Sequence, residues 1–185
     1  MVVRIGFPKG LLNYDYYTLW RSFFDTLGLE VVTSPDTNKD ILDLGVLNCV
    51  DEACLPVKIY HGHVYYLKDK VDYMLIPRYI SLSKREYNCP KHLGIADMIS
   101  SSIDGLPPLI TPRIIIRNSK DLHQSLYSVG KIFLNDHSLI MKACKNGVLE
   151  YKKDIESKGK IMPKSNELFK QDKIRLLVLG HTHSV

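Results

Sequence analysis

The sequence predicts an α/β domain with a doubly wound, mainly parallel sheet. Short apolar runs of strand length alternate along the chain with longer stretches whose apolar residues recur at helical spacing. This alternation is typical of a parallel sheet covered by helices on both faces, whose ligands bind at the carboxyl ends of the strands. Two cysteines, Cys54 and Cys89, follow predicted strands and are therefore expected at that edge.

The first predicted strand covers residues 2–7, and residues 8–10 form a turn. A helix follows, closed by Gly28, because glycine readily adopts the left-handed conformation that ends helices. Its apolar residues at helical spacing are Tyr16, Leu19, Trp20, Phe23, Phe24 and Leu27. The second strand is predicted at residues 29–32.

A second helix is predicted from Thr37 to Gly45. Thr37 with Asp40 three residues later resembles a capping box, although the usual third residue is glutamate or glutamine. Residues 46–50 are apolar and indicate another short strand.

Prolines mark the next two helix starts. Proline is favoured in the first helical turn, because its missing N–H has no partner there. Helices are therefore predicted from Pro56 to about Lys68 and from Pro90 to about Ser102, with a strand at residues 73–76 between them.

Residues 105–108, Gly-Leu-Pro-Pro, break the chain before a strand predicted at residues 109–116. Two long helices follow, at residues 120–134 and 138–158. The predicted N-caps are Ser119 for the first helix and Asp136 or His137 for the second.

The predicted domain organisation is one α/β domain at residues 1–156, a lysine-rich linker at 157–172, and a terminal strand and tail at 173–185. The last strand has no helix after it. It either adds to the same sheet or starts a second α/β domain that is truncated here.

Composition and charge narrow the class of protein. The chain has 185 residues, four cysteines and a formal charge of +5, with no pattern of a secretory signal and no run long enough to cross a bilayer. Arginine and lysine do not form a stripe with aromatics, which argues against nucleic acid. A cytoplasmic protein with reduced or metal-binding thiols is expected.

Cys54 and Cys89 share a local setting: each is followed by a proline and then by a lysine, Lys58 or Lys91. Both sulfurs are predicted at helix N-termini, where free N–H groups and the helix dipole favour the thiolate that binds metals. Two such cysteines suggest a shared site, and the two lysines either lie beside an anionic group or are solvated. The alternative is two cap-position thiols without a ligand.

The other cysteines and a histidine pair are weaker candidates. Cys49 becomes a third ligand only if its loop folds back, and Cys144 has apolar helical neighbours that predict core packing. His61 and His63 are two residues apart on a predicted helix, a spacing that argues against a shared metal.

Several segments together resemble the activase-associated domain of CoA-substrate-specific enzyme activases and, more distantly, the subunits of 2-hydroxyacyl-CoA dehydratases. The segments are residues 6–12, 17–20, 51–58, 61–63, 76–78 and 89–91. The resemblance implies a Rossmann-like or flavodoxin-like domain, with Cys54 and Cys89 as ligands of a [4Fe-4S] cluster. It also implies low-potential electron transfer to a CoA thioester, with an ATP-dependent activase or dehydratase subunit as partner and an acyl-CoA as substrate.

The chain departs from that resemblance in two ways. It contains no glycine-rich phosphate loop, so no ATP site is expected. The second domain, where a further cysteine ligand would be expected, is missing, so the cluster site in this chain is expected to be incomplete, and the oligomeric state is left open.

Two other functions stay open. A non-catalytic docking module would use the aromatics of the first helix, Tyr14, Tyr16, Tyr17 and Trp20, although core packing is the favoured role for them. The tail residues His181 and His183 resemble part of a calcineurin-like metallophosphoesterase site, but the other metal ligands of that site are absent from the sequence.

Overall fold

The computed structural model describes residues 2–81, 88–115 and 119–159. Within these ranges the chain forms six strands and six α-helices. No helix in the described ranges is long and apolar enough to cross a membrane. The strands are β1 (Arg4–Phe7), β2 (Glu30–Thr33), β3 (Tyr73–Leu75), β4 (Arg78–Ser81), β5 (Leu109–Ile110) and β6 (Arg113–Ile115). The helices are α1 (Tyr17–Thr26), α2 (Lys39–Leu47), α3 (Leu55–Leu67), α4 (Pro90–Ser102), α5 (Ser119–Phe133) and α6 (His137–Gly159).

Four strands form a parallel sheet in the order β2-β1-β3-β5. Ile5 lies opposite Val31 of β2 and Tyr73 of β3, and Met74 of β3 lies opposite Leu109 of β5. This order and the flanking helices confirm the predicted Rossmann-like, flavodoxin-like α/β fold.

Each face of the sheet has its own hydrophobic core. Ile5, Phe7 and Leu75 point to the face covered by α1, α5 and α6, whereas Met74 and Ile76 point to the face covered by α3 and α4. The alternation along β1 and β3 follows from the two-residue period of a strand. Helices on both faces make the sheet doubly wound, as predicted.

The prediction of a single strand at residues 109–116 is wrong, because the described part of this segment forms two strands, β5 and β6. The chain is interrupted at Thr111-Pro112, and β6 leaves the main sheet to pair with β4. Pro77 interrupts the neighbouring strand in the same way, and Arg78 N–H donates to the Pro112 carbonyl at 2.9 Å. Proline has no N–H for a sheet ladder, so paired prolines on adjacent strands end one sheet and begin the next.

The strand predicted at residues 46–50 is also wrong. Helix α2 continues to Leu47, and Asn48 then caps it, with its side-chain amide donating to the Leu44 carbonyl at 2.8 Å. The N-cap of α2 is Asn38, whose side chain accepts from Ile41 N–H at 3.0 Å, whereas Thr37 bonds elsewhere. Within this run Val46, Leu47 and Val50 are exposed, and no residue of the run belongs to a strand.

Helices α2 and α3 form a tight antiparallel hairpin. A Cβ on Gly45 would overlap the carbonyl of Lys58, and a Cβ on Gly62 would overlap the carbonyl of Ile41. The two helices therefore touch through backbone at this crossing, which only glycine allows. Residues 48–54 form the tip of the hairpin.

Helices α5 and α6 pack with α1 on the same face of the main sheet. Asp136 is confirmed as a cap of α6, since its carboxylate accepts from Leu139 N–H at 3.1 Å. Helix α6 continues to Gly159, so residues 157–159 of the predicted linker are helical. The rest of that linker, the terminal strand and the tail with His181 and His183 lie outside the described residues.

Replacing Gly62 by alanine is expected to destabilise the protein, because the added Cβ has no room between α2 and α3. We expect the free energy of unfolding to fall by about 1–3 kcal/mol, a range typical of overpacked sites. Urea denaturation followed by the fluorescence of the single tryptophan, Trp20, measures this change.

Gly94 in α4 is the matched control, because a Cβ there meets nothing within 4 Å. Gly94→Ala should leave stability unchanged or raise it by up to about 1 kcal/mol, since alanine is the better helix former. Equal effects of the two substitutions would contradict the backbone crossing.

Candidate functional site

The two cysteines of the sequence motif lie at helix N-termini, as predicted. Cys54 is the N-cap of α3, with Pro56 in the first turn, and Cys89 is the N-cap of α4, with Pro90 as its first residue. Both thiols are exposed, and neither side chain makes a capping hydrogen bond. The sulfurs are therefore accessible beside the free N–H groups of two helices.

Topology places both helix starts beyond the carboxyl edge of the sheet. Helix α3 leads into β3 and α4 leads into β5, so each helix runs from the carboxyl edge back to the amino edge. No strand directly precedes Cys54, contrary to expectation. The cysteine nevertheless lies at the predicted edge because α3 has to return to a parallel strand.

Cys49 is influenced by charged groups at the starts of both helices. Its thiol is half-buried, and burial raises its pKa, while the positive charges of Lys58 on α3 and Lys91 on α4 act to lower it. One thiol thus lies within electrostatic range of the first turns of both helices. The role of Cys49 as a third ligand stays a prediction.

These residues do not form a complete metal site. No group of three or more histidine, cysteine, aspartate or glutamate side chains could hold a metal ion within the described ranges. A [4Fe-4S] cluster takes three or four cysteine ligands from its protein. The cysteines of the described chain therefore do not fit a whole cluster by themselves.

The two lysines of the motif are half-buried, and neither has an ion-pair partner among the residues that the structure describes. Lys58 lies in the first turns of α3, and Lys91 is the second residue of α4. Their charges are available to an anionic group at the site. Their role as binding residues stays a prediction.

Cys144 has the core role that its neighbours predict. It is fully buried in the core on the α6 side, with its Sγ 4.0 Å from the His123 carbonyl oxygen. Burial raises its pKa to about 11, so its thiol stays protonated at neutral pH.

The hairpin tip also carries exposed apolar side chains. We call these four residues the tip patch: Val46, Leu47, Val50 and Leu55. Leu47 is 80% exposed and is the most exposed of the four. Exposed apolar side chains gathered at one projecting end are typical of a surface that binds a partner.

The aromatics of the first helix mostly pack in the core. Tyr16 and Trp20 are buried, and the Tyr16 ring stacks on Tyr79 with centroids 4.8 Å apart. Tyr17 is half-buried, and Tyr14 alone of the four is exposed. They do not form the aromatic docking surface that was the alternative.

A polar cluster at the ends of β1 and β2 escaped the sequence reasoning. Lys9 Nζ donates to Asp36 at 2.7 Å, and the Lys9 N–H donates to the Ser34 hydroxyl at 2.9 Å. Gly10 then turns the chain with φ of 122° against the side of α3. Position in the sequence could have indicated this cluster, because Lys9 and Asp36 each come shortly after a strand of a parallel sheet.

His63 lies behind this cluster. Its Nε2 pairs with Thr37 Oγ1 at 3.1 Å, while the buried Nδ1 has no partner in the described part of the chain. Burial, together with the charge of Lys9, lowers the pKa of His63 to about 4. His61 is equally buried but pairs with the Val57 carbonyl, so the two imidazoles serve different contacts.

A model of the family described as the CoA enzyme activase uncharacterised domain matches residues 4–185. The match includes both cysteine segments and the turn after β1. A comparison with curated proteins finds no match, and neither does a comparison with solved structures.

The burial of His63 predicts a loss of stability in acid. The unfolded chain binds a proton at this residue with a pKa of 6.5, whereas the folded protein does so only near pH 4. The stabilisation is complete above pH 6.5 and is lost as the pH falls toward 4, by about 3 kcal/mol. Urea denaturation at several pH values between 4 and 7 measures this loss.

His63→Gln should flatten that pH dependence, whereas His137→Gln, at an exposed site, should leave it unchanged. The same slope in His63→Gln and in the wild type would show that other groups cause the loss.

Proposed function

Because this chain belongs to the family of CoA enzyme activase domains, we propose that it is a component of a 2-hydroxyacyl-CoA dehydratase and activase type of system. In this proposal Cys54 and Cys89 contribute ligands to a [4Fe-4S] cluster that is shared with another chain. The observation that supports it is that Cys54 and Cys89 are both exposed N-cap thiols at the starts of two helices.

The setting of the thiols suits an anionic cluster. Thiolate ligands bring negative charge, which the N-terminal ends of α3 and α4 and the ammonium groups of Lys58 and Lys91 would balance. Cys49 is the proposed third ligand, with its pKa raised by burial. A bound cluster would supply a one-electron centre for low-potential transfer to a CoA thioester.

The remaining ligands have to come from outside the given 185 residues, and in this proposal a second chain supplies them. The sequence contains four cysteines, of which Cys144 is in the core, and residues 160–185 contain none. The partner in this proposal is an ATP-dependent activase or a dehydratase subunit, which would also hydrolyse the ATP. This chain would hold its ligands in place, balance their charge and exclude water from the contact.

A second candidate function, a docking module without a cluster, is favoured by the tip patch. Four exposed apolar residues at the end of a rigid hairpin suit a protein contact whether or not a metal is bound. In that case the cysteines would be neighbours of the contact rather than ligands. The two functions make different predictions for cysteine and leucine substitutions.

The cluster proposal predicts that iron binding depends on the two N-cap cysteines. The chain, reconstituted without oxygen from ferrous iron and sulfide together with an ATP-dependent activase, should bind both elements in about equal amounts. Cys54→Ser and Cys89→Ser should each lose most of the bound iron and the visible absorbance. Iron and acid-labile sulfide assays measure the loss.

Cys144→Ser is the control for this assay, because its thiol lies in the core, and it should bind as much iron as the wild type. Iron contents of Cys54→Ser and Cys89→Ser equal to that of the wild type would exclude the cluster proposal.

The docking function predicts that a charge in the tip patch weakens partner binding. Leu47→Glu should weaken binding to an ATP-dependent activase at least about tenfold, since a carboxylate would be buried in an apolar contact. Leu149→Glu is the matched control, at an exposed leucine of α6. Isothermal titration calorimetry measures both, and equal affinities of the two variants would contradict this function.

A further inference from the structure

A cleft of about 380 Å³ opens at the carboxyl ends of β1 and β2. Phe7 and Thr33, the last residues of the two strands, line it, and so do residues of α1 and α6. An adjoining hollow of about 220 Å³ shares two of its lining residues, Lys9 and Tyr14. Neither space is lined by the cysteines or lysines of the proposed cluster site.

The position and size of the cleft suit a small ligand. Ligands of parallel α/β sheets bind outside the carboxyl ends of the strands, where the connecting loops leave a crevice. A volume of about 380 Å³ is at the lower end of the range that ligand sites show. The cleft thus falls within the size range of small-ligand sites.

Aromatic rings line one part of the cleft. Phe7 is buried and lies against the Tyr17 ring, with centroids 5.6 Å apart. Tyr14 is 62% exposed, so its ring has a free face in water. An exposed tyrosine at the rim of a cleft offers a stacking surface for a planar ligand.

Two ammonium groups line the same cleft. Lys9 pairs with Asp36 at 2.7 Å, and the Asp36 side chain is 93% exposed. Lys158 on α6 pairs with Asp154 at 2.8 Å and lies 5.8 Å from the centre of the Tyr14 ring. Hydrogen bonding to Asp154 raises the pKa of Lys158, so it stays charged at neutral pH.

Both ion pairs are weak, so each lysine can also pair with a ligand. Exposed lysine–carboxylate pairs contribute little to stability, because water screens them and both side chains lose freedom. An anion entering the cleft can replace water and share the lysines at small cost. Thr18 and Thr33 add hydroxyl groups that can donate to it.

We propose that this cleft binds a mononucleotide, with the base stacked on Tyr14 and the phosphate paired with Lys9 and Lys158. The proposal is independent of the cluster and of the tip patch, because it rests on different residues. It assigns binding only and includes no chemical step.

Titration of the full chain with AMP, followed by calorimetry and by amide NMR shifts, tests the proposal. We expect saturable binding with shifts at Thr18 and Thr33. Adenosine alone and inorganic phosphate alone should each bind at least about tenfold more weakly, because each lacks one half of the contacts. Tyr14→Leu and Lys158→Gln should each weaken AMP binding about as much.

Two substitutions outside the cleft serve as controls. Tyr66→Leu removes another exposed tyrosine, which lies under Lys70, and Lys153→Gln removes a lysine of α6 that pairs with Glu150. Both should bind AMP like the wild type. All four substitutions are at surface positions, and an unchanged amide spectrum shows that each variant is folded.

Three results would overturn the proposal. They are no saturable binding of AMP at millimolar concentration, equal AMP affinity of the Tyr14→Leu and Lys158→Gln variants and the wild type, and binding of inorganic phosphate as tight as that of AMP. Tighter binding of coenzyme A than of AMP would overturn the assignment to a free mononucleotide.

Discussion

The backbone contact between Gly45 and Gly62 fixes the cysteine-bearing end of the molecule. Because no side chain separates α2 from α3 there, the two helices cross closely and hold the loop at residues 48–54 as a defined tip. Cys54 is the last residue of that loop, and its proline starts α3 at once. Cys49, Cys54 and the tip patch thus have fixed positions without a disulfide or a metal.

Paired prolines shape the other half of the same edge. Pro77 and Pro112 interrupt β3–β4 and β5–β6 at the same level, so a short second sheet continues beyond the main one. Arg78 of β4 pairs with Asp97 of α4 at 2.8 Å and connects this extension to the helix that Cys89 caps. The middle of α4 is therefore held against the short second sheet.

The carboxyl edge presents two chemically different regions. At the hairpin tip, exposed thiols, half-buried lysines and apolar side chains suit a shared anionic centre and a protein contact. At the ends of β1 and β2, lysines, hydroxyl groups and an exposed ring suit a soluble anion. His63 and Thr37 lie between the loop after β1 and the hairpin, so the packing of α3 connects the two regions.

The sequence by itself determined the alternating α/β order, the helix starts at Cys54 and Cys89, and the core role of Cys144. These follow from strand and helix periodicity and from proline, which act over a few neighbouring residues. Only the tertiary structure decided that residues 46–50 end α2 and enter the hairpin tip, and that the strand predicted at residues 109–116 divides at Pro112. It also decided the side-chain pairs Lys9–Asp36 and His63–Thr37. Those pairs are 27 and 26 residues apart in the chain, so their distances depend on how the elements pack and not on local backbone preference.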